Sequence, residues 1–282
     1  MGEATPHLLA RQRQAVIREW LQRDGRVVAA ELSANFGVSD DTVRRDLREL
    51  AASGECRRVY GGALPFAPDG GSFKNRQDQD KSRKLLLGRA IASTFEPGST
   101  IFIDAGSTNL AVAEALPSGL GLTIVTNTPA IACTLAERSG TTVVMLGGRF
   151  DGRSGACLGA QTLREAERIR PSVLVLGACG IDAEAGITTH DLEEADLKAS
   201  LASRAETIAV AATNDKIGTA ASFVVAALDR RLRLFVEPDC DAAALTPFEA
   251  QGLRVLRAEE AASETSIARR RTGAPVSQGA LR

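Results

Sequence analysis

The stretch Ser39-Asp-Asp-Thr-Val-Arg-Arg-Asp-Leu47 joins a helix-start signal, two acids and an arginine pair. A serine ahead of a helical run can cap it by accepting from first-turn N–H groups. Asp40 and Asp41 then fall in the first turn, where negative charge complements the helix dipole. Val43, Leu47 and Leu50 recur at helical spacing as an inward stripe, which turns Thr42, Arg44, Arg45 and Arg48 outward. Asp46, two positions past Arg44, is too close in sequence to share its face and does not cancel the pair. Taken alone, such a helix fits either a DNA reader or a solvated surface.

The flanks narrow the choice. Val16, Ile17, Trp20 and Leu21 predict a helix over about residues 8–23, with Gly25 as its stop. A second short helix is expected over about residues 29–35, burying Leu32 and Phe36, and Gly37 makes the turn into the third. Helix, short helix, glycine turn and capped helix are the order of a helix-turn-helix. Cys56-Arg-Arg-Val-Tyr-Gly-Gly-Ala63 follows as an extended, glycine-terminated piece, suited to a β-wing. Through Ala63 ten Arg stand against nine Asp plus Glu, yet five of the ten lie on the third helix and the wing. The positive charge is placed rather than spread.

Over all 282 residues the formal net charge is −1, which excludes a bulk polycation and leaves nucleic-acid binding to a local patch. Hydrophobic content of 44% and charged content of 24% are those of a soluble globular protein. No apolar run has the length to span a bilayer and no signal-peptide pattern opens the chain, so a cytoplasmic protein is expected. Cys56, Cys133, Cys157, Cys179 and Cys240 form no C-x-x-C pair and are expected as reduced, mostly buried thiols. With only His7 and His190, a zinc site or a Ser-His-Asp triad has too few ligands.

Past a polar stretch of about residues 64–81, read as an inter-domain connection, the pattern changes. A helix over about residues 82–95 leads into apolar runs at about 100–104, 122–125, 142–146, 173–176, 208–211, 232–236 and 253–256, with helical stretches between most of them. Continuous apolar strands alternating with helices indicate a mainly parallel sheet covered on both faces. The expected fold class is therefore α+β multidomain: a winged helix-turn-helix at 1–63, a connection at 64–81 and an α/β domain at 82–258. A disordered tail at 259–282 carries Arg269-Arg270-Arg271.

Polar clusters recur where the apolar runs end: Asp104-Ala-Gly-Ser-Thr108, Thr126-Asn-Thr128, Gly147-Gly148 and Gly177-Ala-Cys-Gly-Ile-Asp182. Ligands of open α/β sheets bind at the carboxyl ends of strands. Gly106, Ser107 and Thr108 can offer N–H groups and hydroxyls at a helix start, an anion cradle suited to phosphate. Glu194 and Lys198 share a helical face, a pattern that on its own reads as an exposed ion pair. Lys216 adds a cation at the same end of the sheet. Together they suit a phosphorylated, hydroxyl-rich small molecule such as a sugar phosphate.

The Ser39–Leu47 motif with Arg57-Arg58-Val-Tyr-Gly-Gly-Ala63 resembles the N-terminal signature of the DeoR family of bacterial transcriptional repressors. The second region resembles that family's sensor domain through Asp104–Thr108, Thr126-Asn127, Gly147-Gly148, Gly180-Ile-Asp182 and the Asp191–Lys198 segment. The likeness runs from about Leu8 to Ala258. It departs at Cys56 and Tyr60, and at Glu237-Pro-Asp239, where Thr-Asp is common. It implies a winged helix on double-stranded operator DNA, and a sensor domain similar in fold to ribose-5-phosphate isomerase that binds a phosphorylated sugar which relieves repression. No cofactor and no catalysis are implied.

The DNA-facing residues so implied are Ser39, Thr42, Arg44, Arg45, Arg48, Arg57, Arg58 and Tyr60. Thr42, Arg44 and Arg45 would face the major groove, with Arg48 and Arg58 as backbone clamps; which of Arg44 and Arg45 reads a base is left open. The effector-binding residues are Asp104, Gly106, Ser107, Thr108, Thr126, Asn127, Gly147, Gly148, Gly180, Asp182, Asp191, Glu194, Lys198 and Lys216. The competing class is a sugar-phosphate isomerase-like enzyme with Glu194 or Asp182 as base and Lys198 as its partner. A homodimer or higher oligomer, held mainly by the sensor domains, is expected because one small winged helix contacts little DNA.

Overall fold

A computed structural model of the chain describes residues 8–259. His7 and the tail with its arginine triplet lie outside these residues. Helices α1 (Ala10–Asp24), α2 (Ala29–Phe36) and α3 (Asp40–Ala52) pack with strands β1 (Val27–Val28), β2 (Arg57–Val59) and β3 (Gly62–Leu64), which pair antiparallel in the order β1-β3-β2. This is a winged helix. Gly37 ends α2 in the left-handed conformation, φ 62°, which a side chain would resist, and so makes the turn. Ser39 caps α3 by accepting from the Thr42 N–H. Val43, Leu47 and Leu50 are buried against Ile17, Leu32 and Phe36. Asp46 is buried too. Its carboxylate takes both Arg13 Nε, at 2.7 Å, and Arg13 Nη2, at 3.1 Å, tying α3 to α1.

The chain continues through α4 (Phe73–Asp78), α5 (Lys81–Ala92), β4 (Thr100–Ile103), α6 (Ser107–Glu114), β5 (Leu122–Thr126), α7 (Pro129–Leu135) and β6 (Thr141–Met145). A hairpin of β7 (Arg149–Asp151) and β8 (Ala156–Leu158) precedes α8 (Ala160–Ala166) and β9 (Val173–Leu176). Then come β10 (Gly180–Asp182), β11 (Gly186–Thr189), α9 (Leu192–Ala202), β12 (Thr207–Ala212), β13 (Phe223–Ala226), β14 (Leu232–Val236), α10 (Ala242–Ala250) and β15 (Arg254–Arg257). All seven apolar runs enter one parallel sheet, in the order β15-β14-β12-β9-β4-β5-β6.

Side chains alternate between the faces of a strand, so each strand feeds two cores. Phe102, Leu174, Leu176, Val210 and Leu234 pack on one face; Ile101, Ile103, Val175, Ala209 and Phe235 pack on the other. A second sheet, β10-β11-β13, stands apart from the first. All five cysteines are free thiols, with Cys133 exposed and Cys56, Cys157 and Cys240 buried. Among the described residues no helix is long and apolar enough to cross a membrane.

The stretch expected as a polar connection is ordered and packed. Ala67 N–H donates to Ala220 O at 3.1 Å, and Ala220 N–H to Pro65 O at 3.3 Å. Ser72 caps α4, and Phe73 is buried against Gly155, where a Cβ would lie 2.5 Å from its ring.

Candidate DNA-binding surface and effector cleft

On the winged helix, Arg44, Arg48 and Arg58 are exposed and make no ion pair among the described residues. Arg44 and Arg58 face one another across a notch of about 310 Å3 between α3 and the wing, floored by Leu47 and Gly62. Arg45, about 100° around the helix from Arg44, lies outside that notch, its side chain 76% exposed with Nε 3.3 Å from Glu49. Tyr60 stands at the wing tip, 98% exposed. Ser39 and Thr42 open α3, their hydroxyls 3.0 Å apart. Arg57 departs from the expected set: its Nη2 donates to Ser222 O at 2.8 Å, so it points back at the larger domain. The cause is position, since Arg57 pairs with Leu64 at the base of the wing, far from the Tyr60–Gly61 tip.

In the larger domain the strand order places a switch point between β4 and β9. From β4 the sheet grows through β5 to β6, and from β9 it grows the other way through β12, β14 and β15. Neighbouring connections leave in opposite directions there, which opens a crevice at the carboxyl ends of the strands. A cleft of about 410 Å3 lies at that place, its floor made by Ala105–Asn109 after β4, Gly177–Cys179 after β9 and Thr213–Lys216 after β12. Gly177 has no room for a side chain, since a Cβ would lie 2.3 Å from Ala105 O.

At the cleft lining Lys198 is buried and surrounded by acceptors: Asp104 Oδ2 and Glu194 Oε2 at 3.1 Å and Gly177 O at 3.0 Å. Burial opposes its charge, but the two carboxylates outweigh burial and hold the ammonium charged well above the usual lysine range. Glu194 and Lys198, a pattern that on its own reads as an exposed ion pair, therefore belong to a buried three-member cluster. Asp104 does not line the cleft; its carboxylate serves Lys198 and the Gly177 N–H.

The cleft walls carry cations that the sequence reading did not name. Arg76 of α4 and Lys84 of α5 stand beside Lys216. Burial and the like charge of Lys216 push the Lys84 ammonium down, and burial, with Arg76 and Lys198 adding to it, pushes Lys216 down. Lys216 Nζ is steadied by Ala178 O at 2.9 Å, and Lys84 Nζ by Gln79 O at 2.7 Å. Gly106 precedes α6, and Ser107 and Thr108 line the same cleft with hydroxyls that have no partner among the described residues. Asp69, Asp80, Asp151, Asp191 and Glu194 add carboxylates suited to sugar hydroxyls. The missed signal was local: Ser72-Phe73, a cap before an apolar residue, marks α4 inside the supposed connection.

Of the expected effector residues, Gly106, Ser107, Thr108, Asp191, Glu194, Lys198 and Lys216 line the cleft. Six others beside Asp104 do not, and each has a structural task. Thr126 Oγ1 donates to Ile103 O at 2.7 Å, tying β5 to β4, and Asn127 Nδ2 donates to Cys157 O at 3.0 Å, tying the end of β5 to the β7–β8 hairpin. Gly147 O accepts from Thr162 Oγ1, and a Cβ on Gly148 would meet that same hydroxyl at 2.1 Å. A Cβ on Gly180 would lie 2.6 Å from Thr219 O. Asp182 Oδ1 accepts from the Glu184 and Ala185 N–H groups and closes the β10–β11 turn. Asp182 is thus unavailable as the base of an isomerase at this cleft.

Residues 13–66 match the DeoR-like helix-turn-helix domain, and residues 79–237 match the DeoR C terminal sensor domain. The chain belongs to the DeoR family. It is 33% identical to the glycerol-3-phosphate regulon repressor of Escherichia coli, over 73% of this chain and 82% of that one. With the HTH-type transcriptional regulator GlpR of Haloferax volcanii it shares 31% identity over 88% of this chain and 98% of that one. Both relatives are named as regulators rather than enzymes. Ribose 5-phosphate isomerase A from Neisseria gonorrhoeae superposes on 49% of this chain and 54% of its own, at 17% identity and a TM-score of 0.34, a likeness too slight to build on. This DeoR-family chain is accordingly a DNA-binding transcriptional regulator with a sensor domain.

Proposed function

We propose that this DeoR-family regulator represses a carbohydrate-metabolism operon and is released by a phosphorylated sugar bound in the switch-point cleft. The observation that carries this is the crowding of Arg76, Lys84 and Lys216 in the cleft that the α6 start and several carboxylates also line. Like charges held together at a cost to their protonation are an anion site awaiting its counter-charge. A volume of about 410 Å3 suits one small phosphorylated sugar or polyol. The name of the Escherichia coli relative makes glycerol 3-phosphate the first ligand to try.

The regulator is expected to work as a homo-oligomer in the cytoplasm. Exposed Val144 and Met145 on β6, at the sheet edge, and exposed Phe150 on the neighbouring hairpin favour pairing through the sensor domain.

On DNA, Arg44 and Arg58 share one notch and would grip a single backbone phosphate between major and minor groove, while Arg45 reads a base edge. Arg44→Ala and Arg58→Ala are each expected to lower the log–log salt slope by about 1, and to weaken operator and random duplexes alike. Arg45→Ala is expected to cost about 1–3 kcal/mol on the operator alone. A fluorescence-anisotropy titration against salt reads both effects. An unchanged slope for Arg44→Ala, with Arg45→Ala weakening random DNA as much as operator, would reverse the assignment.

A further inference from the structure

Two arginines of the winged helix are engaged by the sensor domain rather than offered outward. Arg26, just before β1, places Nη2 2.8 Å from Glu184 Oε1 in the β10–β11 turn. Arg57, at the base of the wing, donates to Ser222 O at 2.8 Å. Both acceptors adjoin one short segment, residues 216–222. It begins at the cleft with Lys216, and Gly218 N–H bonds to Ile181 O at 2.9 Å, beside the turn that carries Glu184. Ala220 then pairs with Pro65 and Ala67, immediately after β3 of the wing. The segment ends at Ser222, which receives Arg57. A few residues of continuous backbone thus run from a cation of the effector cleft, past the strand that leads to the Glu184 turn, to the carbonyl that receives Arg57.

We infer that Arg26 and Arg57 form a brace that fixes the winged helix on the sensor domain, and that the strap 216–222 makes this brace answer to the cleft. Arg26 and Arg57 are then positioning residues, and removing them acts on operator recognition through orientation. This rests on the repressor reading of the two ends. A fixed orientation lowers the ordering cost when paired winged helices meet two half-sites at once. A ligand that moves Lys216 would shift the strap and, through it, the brace.

The test is a charge-swap cycle in the full chain, on a duplex recovered by in vitro selection and on a random duplex. Arg26→Glu and Glu184→Arg are each expected to weaken the selected duplex about two- to fivefold, the size of an exposed ion pair, and to leave random DNA unchanged. The double variant Arg26→Glu/Glu184→Arg should return to wild-type affinity. Equal loss on both duplexes without rescue would make Arg26 a DNA contact, and no change in any variant would leave the brace without a role; either result overturns the inference. The strap is read by hydrogen exchange at the Ala67 and Ala220 amides, which should quicken in Lys216→Met and in Glu184→Arg. Unchanged exchange in both sinks the strap. Neither arm uses a ligand, so a failed search for the sugar phosphate leaves these readouts standing. A wild-type chain that selects no duplex counts against the repressor reading, while hydrogen exchange still decides the brace.

Discussion

Lys198→Met is expected to lose about 3–5 kcal/mol of unfolding free energy, the cost of leaving buried charge without its partner. Asp104 is almost wholly buried and Glu194 largely so, and both depend on the Lys198 ammonium. Removing it also strips a donor from Gly177 O under the cleft floor. With the folded-state pKa of Lys198 raised, its contribution is fully present below the ordinary lysine value and is lost only as pH climbs through the raised one. In the variant, burial pushes the Asp104 carboxyl up with no ammonium to oppose it, so the deficit should shrink as pH falls and Asp104 takes up a proton, and grow as pH rises. Urea denaturation measures it. A second variant, Lys198→Met/Asp104→Asn, should recover part of the loss, because the carboxylate deepest in the cluster no longer carries charge. A single-variant loss below about 1 kcal/mol would mean an ordinary exposed pair.

Asp46→Ala is expected to destabilise the winged helix by about 3–5 kcal/mol for the same physical reason. Arg13 would stay buried with its Nε and Nη2 unpaired, keeping only the Leu8 carbonyl at 2.7 Å. The chain supplies its own reporter: its single tryptophan, Trp20, lies on α1 with its ring centroid 6.5 Å from that of Phe36. Denaturation followed by Trp20 fluorescence should show an early winged-helix transition, with the sensor transition seen by circular dichroism unmoved. Arg13→Met/Asp46→Leu, which removes both charges, should recover much of the loss. A Trp20 transition that stays in place would show that the pair carries little.

Both effects mark the limit of what was legible in the sequence. Long apolar runs separated by helices identify strands of a parallel sheet, since burial on both faces leaves a continuous pattern; all seven runs lie in that sheet. The capped third helix and its inward stripe were legible because cap chemistry and helical spacing are local. Strands β7, β8, β10, β11 and β13 have three or four residues each, too few to show alternation, and none was foreseen. Asp46 and Lys198 resemble solvated charges in sequence because their partners, Arg13 and Asp104, are distant along the chain. Polar clusters at strand ends located the right end of the sheet, yet Thr126 ends β5, and Asn127, Gly147 and Gly148 follow β5 and β6, away from the switch point. Only the strand order reveals which loops meet, and the order is a long-range property. Arg76 was hidden by reading the stretch 64–81 as a connection, and Lys84 lay on the helix expected at 82–95, whose local pattern does not show that it meets the cleft.

The most direct test of metabolite-controlled repression is operator affinity measured with and without each of a panel of triose, pentose, hexose and polyol phosphates. One phosphorylated ligand is expected to weaken operator binding by about tenfold or more, within the usual range of allosteric coupling, and operator should weaken that ligand by the same factor. Lys84→Met/Lys216→Met should abolish the response. A sugar phosphate that binds the cleft and leaves operator affinity unchanged, or that is turned over there, would contradict it.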